Sequence, residues 1–578
     1  MNKRTYISTY VFFSLFAITL VTNAQDKPKE PVKQDTKETV KQDTSKRNAV
    51  TEEIEVVRSY KPVLADAVKI RRSPNLNDIK PFNPKVSYNL LDKRLELNSG
   101  IRELEAQKLQ AKIEAQPKNN FAKLGLGNLG TNLAQVNIAT GQDPALQAGF
   151  NFNHLGMSGK ENQQKISKQS LSGYGRSIGD ALVLEGKLGY DRTGTYFYGT
   201  DPLNTFINLD PQKQRFNYFN AEGLLFNRTD ADDENSFSYA AKVQGYIFNN
   251  AFKAKENGVV LSGGLGKNLN KFHLGANAAV DITTSKDSAY TFNNNLFKLN
   301  PYIQIQTDLF RFTGGINYVN EFGANQRIHI FPAISLDFML IKNYLTIFGN
   351  FGGDVEKNTL KGLSDLNPYL NQNVNLKNTV NKFDIAGGIR GTFAPNVGYK
   401  ATISYKDISD LTYFTNSISE KQKFDVDYFV GNTNVLGFSG EVNISFSEAF
   451  NLDSKVDIRQ FDNNNEDFIW LRPGFTLQST ASFKIVDKVK LSGDLLFQGE
   501  TKAKVYDAVN VLPVPINPAF TAKTIKAFAD ISVGADYQYN KQISAFFRVN
   551  NILGNDYERL PYYRNYGINI LGGVSYGF

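Results

Sequence analysis

The sequence predicts an all-β protein: a transmembrane antiparallel β-barrel of about 22 strands, preceded by a short periplasmic or lumenal amino-terminal segment. Three observations lead there. Long segments alternate apolar with polar side chains, tight turns alternate with long polar loops, and the last strand ends the sequence on an aromatic residue. Side chains in a strand alternate faces, so Tyr566, Ile568, Ile570, Gly572, Val574, Tyr576 and Phe578 make one apolar wall. Gly567, Asn569, Leu571, Gly573, Ser575 and Gly577 make the opposite, smaller and more polar one.

Residues 1–24 read as a signal peptide. Lys3 and Arg4 open it, Val11 to Val21 is apolar, and Thr22-Asn23-Ala24 supplies small residues for cleavage before Gln25. The apolar run, about eleven residues, is short for a membrane-crossing helix. Residues 25–50 are Lys, Asp, Glu, Thr and Pro with a doubled Val-Lys-Gln-Asp-Thr, the composition of a flexible periplasmic tether. Residues 51–118 begin with the alternating run Glu53-Ile54-Glu55-Val56-Val57. A helical pattern follows at Ile101–Ile113, after Pro74, Pro81 and Pro84. This stretch is too poor in apolar residues to hold a good core of its own.

Residues 119–578 are the predicted barrel. Phe272, Leu274, Ala276, Ala278, Val280 and Ile282 oppose His273, Gly275, Asn277, Ala279 and Asp281. Ile525, Ala527, Ala529, Ile531, Val533, Ala535 and Tyr537 oppose Lys526, Phe528, Asp530, Ser532, Gly534 and Asp536. Val489, Leu491, Gly493 and Leu495 oppose Lys490, Ser492 and Asp494. Such segments exceed the usual strand of about five or six residues and reach the roughly nine to eleven that a tilted strand needs to cross a bilayer. Tight turns are expected at Asn268–Asn270, Asp308–Leu309, Ile341–Asn343, Pro395–Asn396, Glu448–Ala449, Val486–Asp487 and Tyr539–Asn540. Long loops are expected at Asp201–Gln212, Glu356–Asn378, Ser409–Gln422, Thr501–Lys523 and Gly554–Arg564. The apolar faces should meet lipid, the long loops should be extracellular and the tight turns periplasmic.

The composition agrees. A mean hydropathy of −0.36 fits a barrel because only alternate residues face lipid. The 45 Gly, 43 Phe and 28 Tyr suit turns and interfacial aromatic girdles. With no Cys, disulfides are excluded. The net charge of +8 is modest for 578 residues and is read as solvated loop charge. No nucleic-acid partner is indicated.

Catalytic chemistry finds little support. Gly125-Leu-Gly-Asn-Leu-Gly130 matches a dinucleotide fingerprint by letter, but it lies between two β segments without a following helix. The three histidines, His154, His273 and His329, are expected on the wall or rim. Asp232-Asp233 and the Asp462/Glu466 pair are expected to be solvated loop acids rather than calcium ligands. No enzyme activity, metal or cofactor is expected.

The strand count, the ending Tyr576-Gly577-Phe578 and the run Asn550-Asn551-Ile552-Leu553-Gly554-Asn555-Asp556-Tyr557-Glu558 resemble the barrels of TonB-dependent receptors. Thr51 to Pro62 resembles the segment of those receptors that pairs with the energy transducer TonB. An extended, tethered run can add a strand to a sheet edge, and it can equally dock as a short strand within the protein. The resemblance implies that Glu53, Ile54, Glu55, Val56 and Val57 form a coupling segment. It also implies that Tyr576 and Phe578 signal to the barrel-insertion machinery, with outer-membrane lipid and lipopolysaccharide as surroundings. The chain departs from the family in leaving only about 60 residues for a plug, so the plug is missing or strongly reduced, yet a barrel this wide needs its lumen filled. Three functions stay open: energy-coupled uptake of a solute, a non-transporting scaffold in a larger outer-membrane assembly, or a passive channel.

Overall fold

The computed structural model describes residues 120–578, except 142, 144, 200–210, 230–234, 447–448 and 508–517. The expected signal peptide, tether, coupling segment Glu53–Val57, Ile101–Ile113 helix and reduced plug lie outside the described residues. So do Asp232 and Asp233.

Twenty-two antiparallel strands form one sheet that closes on itself. The first, Phe121–Gly127, pairs with the last, Asn569–Gly577, from Phe121 opposite Gly577 to Gly127 opposite Leu571. The Phe578 amide adds a hydrogen bond to the Asn120 carbonyl across this seam, at 3.1 Å. Closure leaves no strand edge, the condition hydrocarbon imposes on any spanning sheet. Many strands are long: Leu182–Tyr196 has 15 residues and Thr291–Gln306 has 16.

The register agrees with the sequence. Phe272, Leu274 and Ile282 are exposed on the outer wall. On the same strand His273 faces the interior, where its ring meets Asn268 and Tyr302. Ile570, Val574 and Tyr576 of the last strand point outward, while Asn569 and Leu571 are buried on the inner face. The interior wall is polar and largely ion-paired, for example Lys298–Asp354 at 2.6 Å, Arg390–Asp337 at 2.7 Å and Arg548–Asp494 at 2.6 Å.

The expected tight turns all join consecutive strands at one rim, which also carries both ends of the barrel. Asn270 and Asn343 adopt positive φ there (60° and 68°), a conformation asparagine tolerates better than most residues. Four of the five expected long loops stand at the other rim, together with short connections such as 128–131, 287–290 and 324–326, while the fifth, Asp201–Gln212, lies outside the described residues but for its last two.

Three expectations are corrected. The strand read from Ile525 begins at Phe528; Ile525 ends a separate hairpin strand, Phe520–Ile525, and is buried against Ala503 and Val505. The last strand starts at Asn569, because residues 566–568 belong to the preceding loop. Glu466 is no solvated acid: it accepts from the Trp470 indole and pairs with Lys504.

Candidate functional site: a cavity among interlocked loops

The loops read as polar connections are ordered by buried apolar side chains. Thr412–Asn416 pairs with Phe424–Tyr428, Thr501–Tyr506 with Phe520–Ile525, and Glu558–Leu560 with Tyr563–Arg564. The loop at 357–378 carries a helix, Leu360–Leu366. Its amino end is fixed twice. Thr359 caps it by accepting from the Gly362 amide, and the fully buried Glu256 of the barrel wall accepts from the Leu360 and Lys361 amides at 2.7 and 3.2 Å. A carboxylate with no exposure needs several donors, and Ser285 and Tyr246 supply two more.

Loops from distant strands meet in one apolar cluster that includes Phe197, Tyr198, Leu363, Tyr369, Leu370, Phe424, Val426 and Tyr563. Tyr369 and Tyr563 stack at 3.6 Å between ring centroids. The Phe424 amide donates to the Tyr369 carbonyl, and the Asn371 amide to the Phe424 carbonyl. Gly199 is a point of close approach. A Cβ there would stand 2.4 Å from the Tyr563 ring, so only glycine lets the ring seat.

Two lysines tie the loops further. Lys423, nearly fully buried, pairs with Glu420 at 2.7 Å and sits over Phe197 and Phe252. Lys504 lies 4.7 Å from the Phe520 centroid and 5.7 Å from those of Tyr413 and Trp470, with Glu466 at 3.4 Å. These contacts join three successive loops through one cation. Nearby, burial raises the Asp427 carboxyl above its ordinary value; the Thr415 hydroxyl and Lys504 oppose that.

Between these loops lies a cavity of about 590 Å³. Among the described residues its charged lining is one-signed: Arg472, Arg559 and Arg564, with no Asp or Glu. Tyr198, Tyr369, Tyr557, Tyr563 and Trp470 supply aromatic walls. The Arg472 guanidinium donates to the Thr412 carbonyl at 2.8 Å, and burial holds its pKa below the ordinary arginine value. Arg559 lies over Phe528, and Arg564 reaches Glu161 only at 3.7 Å. A second, larger cavity on the interior wall mixes Arg390, Lys400 and Lys455 with Glu441 and Asp453, and so selects no charge.

The sequence reading missed this cavity. Its one local signal is the run Ile469-Trp470-Leu471-Arg472-Pro473, which holds the chain's single Trp. Of the expected site residues, Tyr576 and Phe578 lie stacked at 6.0 Å beside the seam, at the tight-turn end of the last strand and so at the rim opposite the cavity-lining loops. His154 faces outward against Asn132, and His329 faces inward against Glu321. Gly125–Gly130 is the end of a strand and its turn.

A closed 22-strand barrel with an apolar outer wall and loops folded together at one rim is the barrel type of TonB-dependent receptors and other bacterial outer-membrane proteins. Among solved structures, the chain is similar to Pseudomonas aeruginosa FpvA in complex with pyoverdine and iron (TM-score 0.60, 10% identity, 79% of this chain and 71% of that one). It is also similar to the siderophore receptor PirA from Acinetobacter baumannii (0.58, 10%, 79% and 80%). A third similar structure is the ferric-catecholate import receptor Fiu from Escherichia coli K12 (0.56, 11%, 80% and 82%). Identities this low establish the shared fold; these neighbours are receptors rather than enzymes. No protein-family model and no curated protein sequence matches the chain.

Proposed function

We propose that this chain is an outer-membrane uptake barrel that captures an anionic solute in the arginine-lined cavity and is driven by TonB through Glu53, Ile54, Glu55, Val56 and Val57. The observation that carries the reading is the charge of the cavity: three arginines and no carboxylate among the described lining residues, where the barrel's interior wall pairs its charges. Partly buried guanidinium groups present planar donors to carboxylate or catecholate oxygens, and tyrosine faces suit an aromatic ligand. Residues 58–118 enter this proposal as a reduced plug in the lumen. Tyr576 and Phe578 enter it as the assembly signal.

Trp470 lines the cavity, so its fluorescence can report binding. With full-length protein in detergent, a ferric tris-catecholate complex (a trianion) should quench it saturably. A neutral ferric hydroxamate complex should do so far less. Arg472→Gln combined with Arg559→Gln should abolish the preference. Equal binding of both probes by the wild-type chain would remove the anion-selective reading.

A further inference from the structure

The outer wall carries a one-signed belt that uptake does not use. On the strands Lys165–Ile178, Leu182–Tyr196, Lys213–Asn227, Lys255–Leu269 and Phe272–Lys286, the outward register at and near the long-loop rim carries Lys165, Arg192, Lys213, Arg215, Lys255 and Lys286. Closer to mid-strand than the lysines and Arg215 comes a row of amides and hydroxyls that includes Gln169, Asn217, Asn257 and Thr284, with Arg192 between Gln169 and Asn217 at the same level. Below that come Leu171, Tyr190, Phe219, Val259 and Ile282 of the apolar wall. The order along four of the five strands is apolar, neutral polar, cationic; on Leu182–Tyr196, Arg192 follows Tyr190 directly and stands level with Gln169 and Asn217.

Three features set these cations apart. None of the six makes an ion pair among the described residues, although the interior wall pairs its charges. No Asp or Glu occupies the outward register of any described strand from Phe121–Gly127 through Phe310–Gly323; outward carboxylates such as Asp407 and Asp462 stand on later strands. Lys255 and Lys286 are direct cross-strand partners. Like charges directly opposite one another repel and destabilise a sheet, so an anion bridging them would relieve a cost built into the fold.

We propose that this belt binds the phosphates of a phosphorylated glycolipid headgroup in the surrounding leaflet. The inference rests on the outer-membrane reading above. The position fits, since the cations stand just beyond the apolar wall, where headgroups begin. The reach fits as well. Strands at a spacing of about 4.8 Å put the ends of the row on the order of 25 Å apart, enough for several phosphates. Basic residues at a membrane surface each add to attraction for anionic lipid.

The test uses full-length protein in mixed micelles and measures retention of phosphorylated lipopolysaccharide, the same glycolipid after enzymatic dephosphorylation, and competition by inorganic phosphate. Wild type should retain the phosphorylated form preferentially. Lys213→Gln, Arg215→Gln, Lys255→Gln and Lys286→Gln should each weaken retention by up to about fivefold. Lys255→Arg with Lys286→Arg should keep it. Heat-modifiable gel mobility confirms a folded barrel in each variant, so loss of folding is separable from loss of binding. Equal retention of both glycolipid forms, retention unchanged in the quadruple glutamine variant, or full displacement by millimolar inorganic phosphate would each overturn the proposal.

Discussion

Lys504→Met should loosen the loop assembly without unfolding the barrel. The Lys504 ammonium faces Phe520, Tyr413 and Trp470, and it sits 3.4 Å from Glu466. Its side chain is 11% exposed and that of Glu466 18%. A desolvated cation–π contact contributes about 2 kcal/mol. Stranding one member of a buried ion pair costs about 3–5 kcal/mol. Glu466 keeps the Trp470 indole donor and some solvent, so the two effects together are expected to cost about 2–4 kcal/mol of loop stability. At 3 kcal/mol the opening constant rises by about two decades. The assay is intrinsic fluorescence: the chain has one Trp, only 1% exposed, in the loop being released. Acrylamide should quench Trp470 in the variant at urea concentrations that leave wild type protected and both barrels heat-modifiable. Lys504→Met with Glu466→Gln should recover much of the loss, since replacing both partners removes the stranded charge. An unchanged quenching profile, or Trp470 released only as the barrel unfolds, would refute the reasoning.

Other predictions address register, pH and orientation. Val574, near the middle of its strand and 56% exposed, should cost about 2–4 kcal/mol when replaced by Arg. Ile570→Arg, near the strand's end, should cost less; heat-modifiable gel shifts across a urea series can rank the two. Asn569→Arg should also be damaging, because the Asn569 amide donates to Thr131 at 2.6 Å and its side chain is buried. Burial pushes the Tyr369 and Tyr563 phenols well above 10.0 and those of Tyr506 and Tyr557 up to about 12. The folded loops therefore keep protons that unfolded ones lose, so loop stability should fall as pH rises above 10.0. Tyrosinate absorbance should show these phenols lagging the exposed ones, and a single phase near 10 would contradict it. In this Cys-free chain, Leu366→Cys or Asp507→Cys should label on intact cells, while Asp487→Cys and Asn540→Cys should not. The reverse pattern would invert the orientation.

The barrel was legible in the sequence because the period-two pattern records which wall each side chain faces, as at Phe272–Ile282 and Val489–Leu495. Strand ends were less so. Ile525 continues the alternation of its neighbours, yet it belongs to another hairpin, and a local pattern cannot show a change of partner strand. Asn569 reads as a polar lumenal residue, whose replacement by Arg should be mild; burial against Thr131 comes from the seam with the first strand. The cavity was not legible. Arg472, Arg559 and Tyr198 are far apart in sequence, and the cluster that joins them consists of single apolar residues scattered through polar loops. Composition masks such clusters, since Tyr563 and Phe424 resemble any loop aromatic until their partners are known.

The central claim is that the barrel is an energy-coupled importer, and it meets its most direct test in capture of the transducer. Full-length protein and a variant lacking residues 52–57 would be presented to the immobilised periplasmic domain of TonB, with folding of both verified by heat-modifiable mobility. The account predicts that the wild-type chain is retained and the deletion variant flows through. Equal behaviour of the two folded proteins would contradict coupling through this segment and favour a barrel that does not transport.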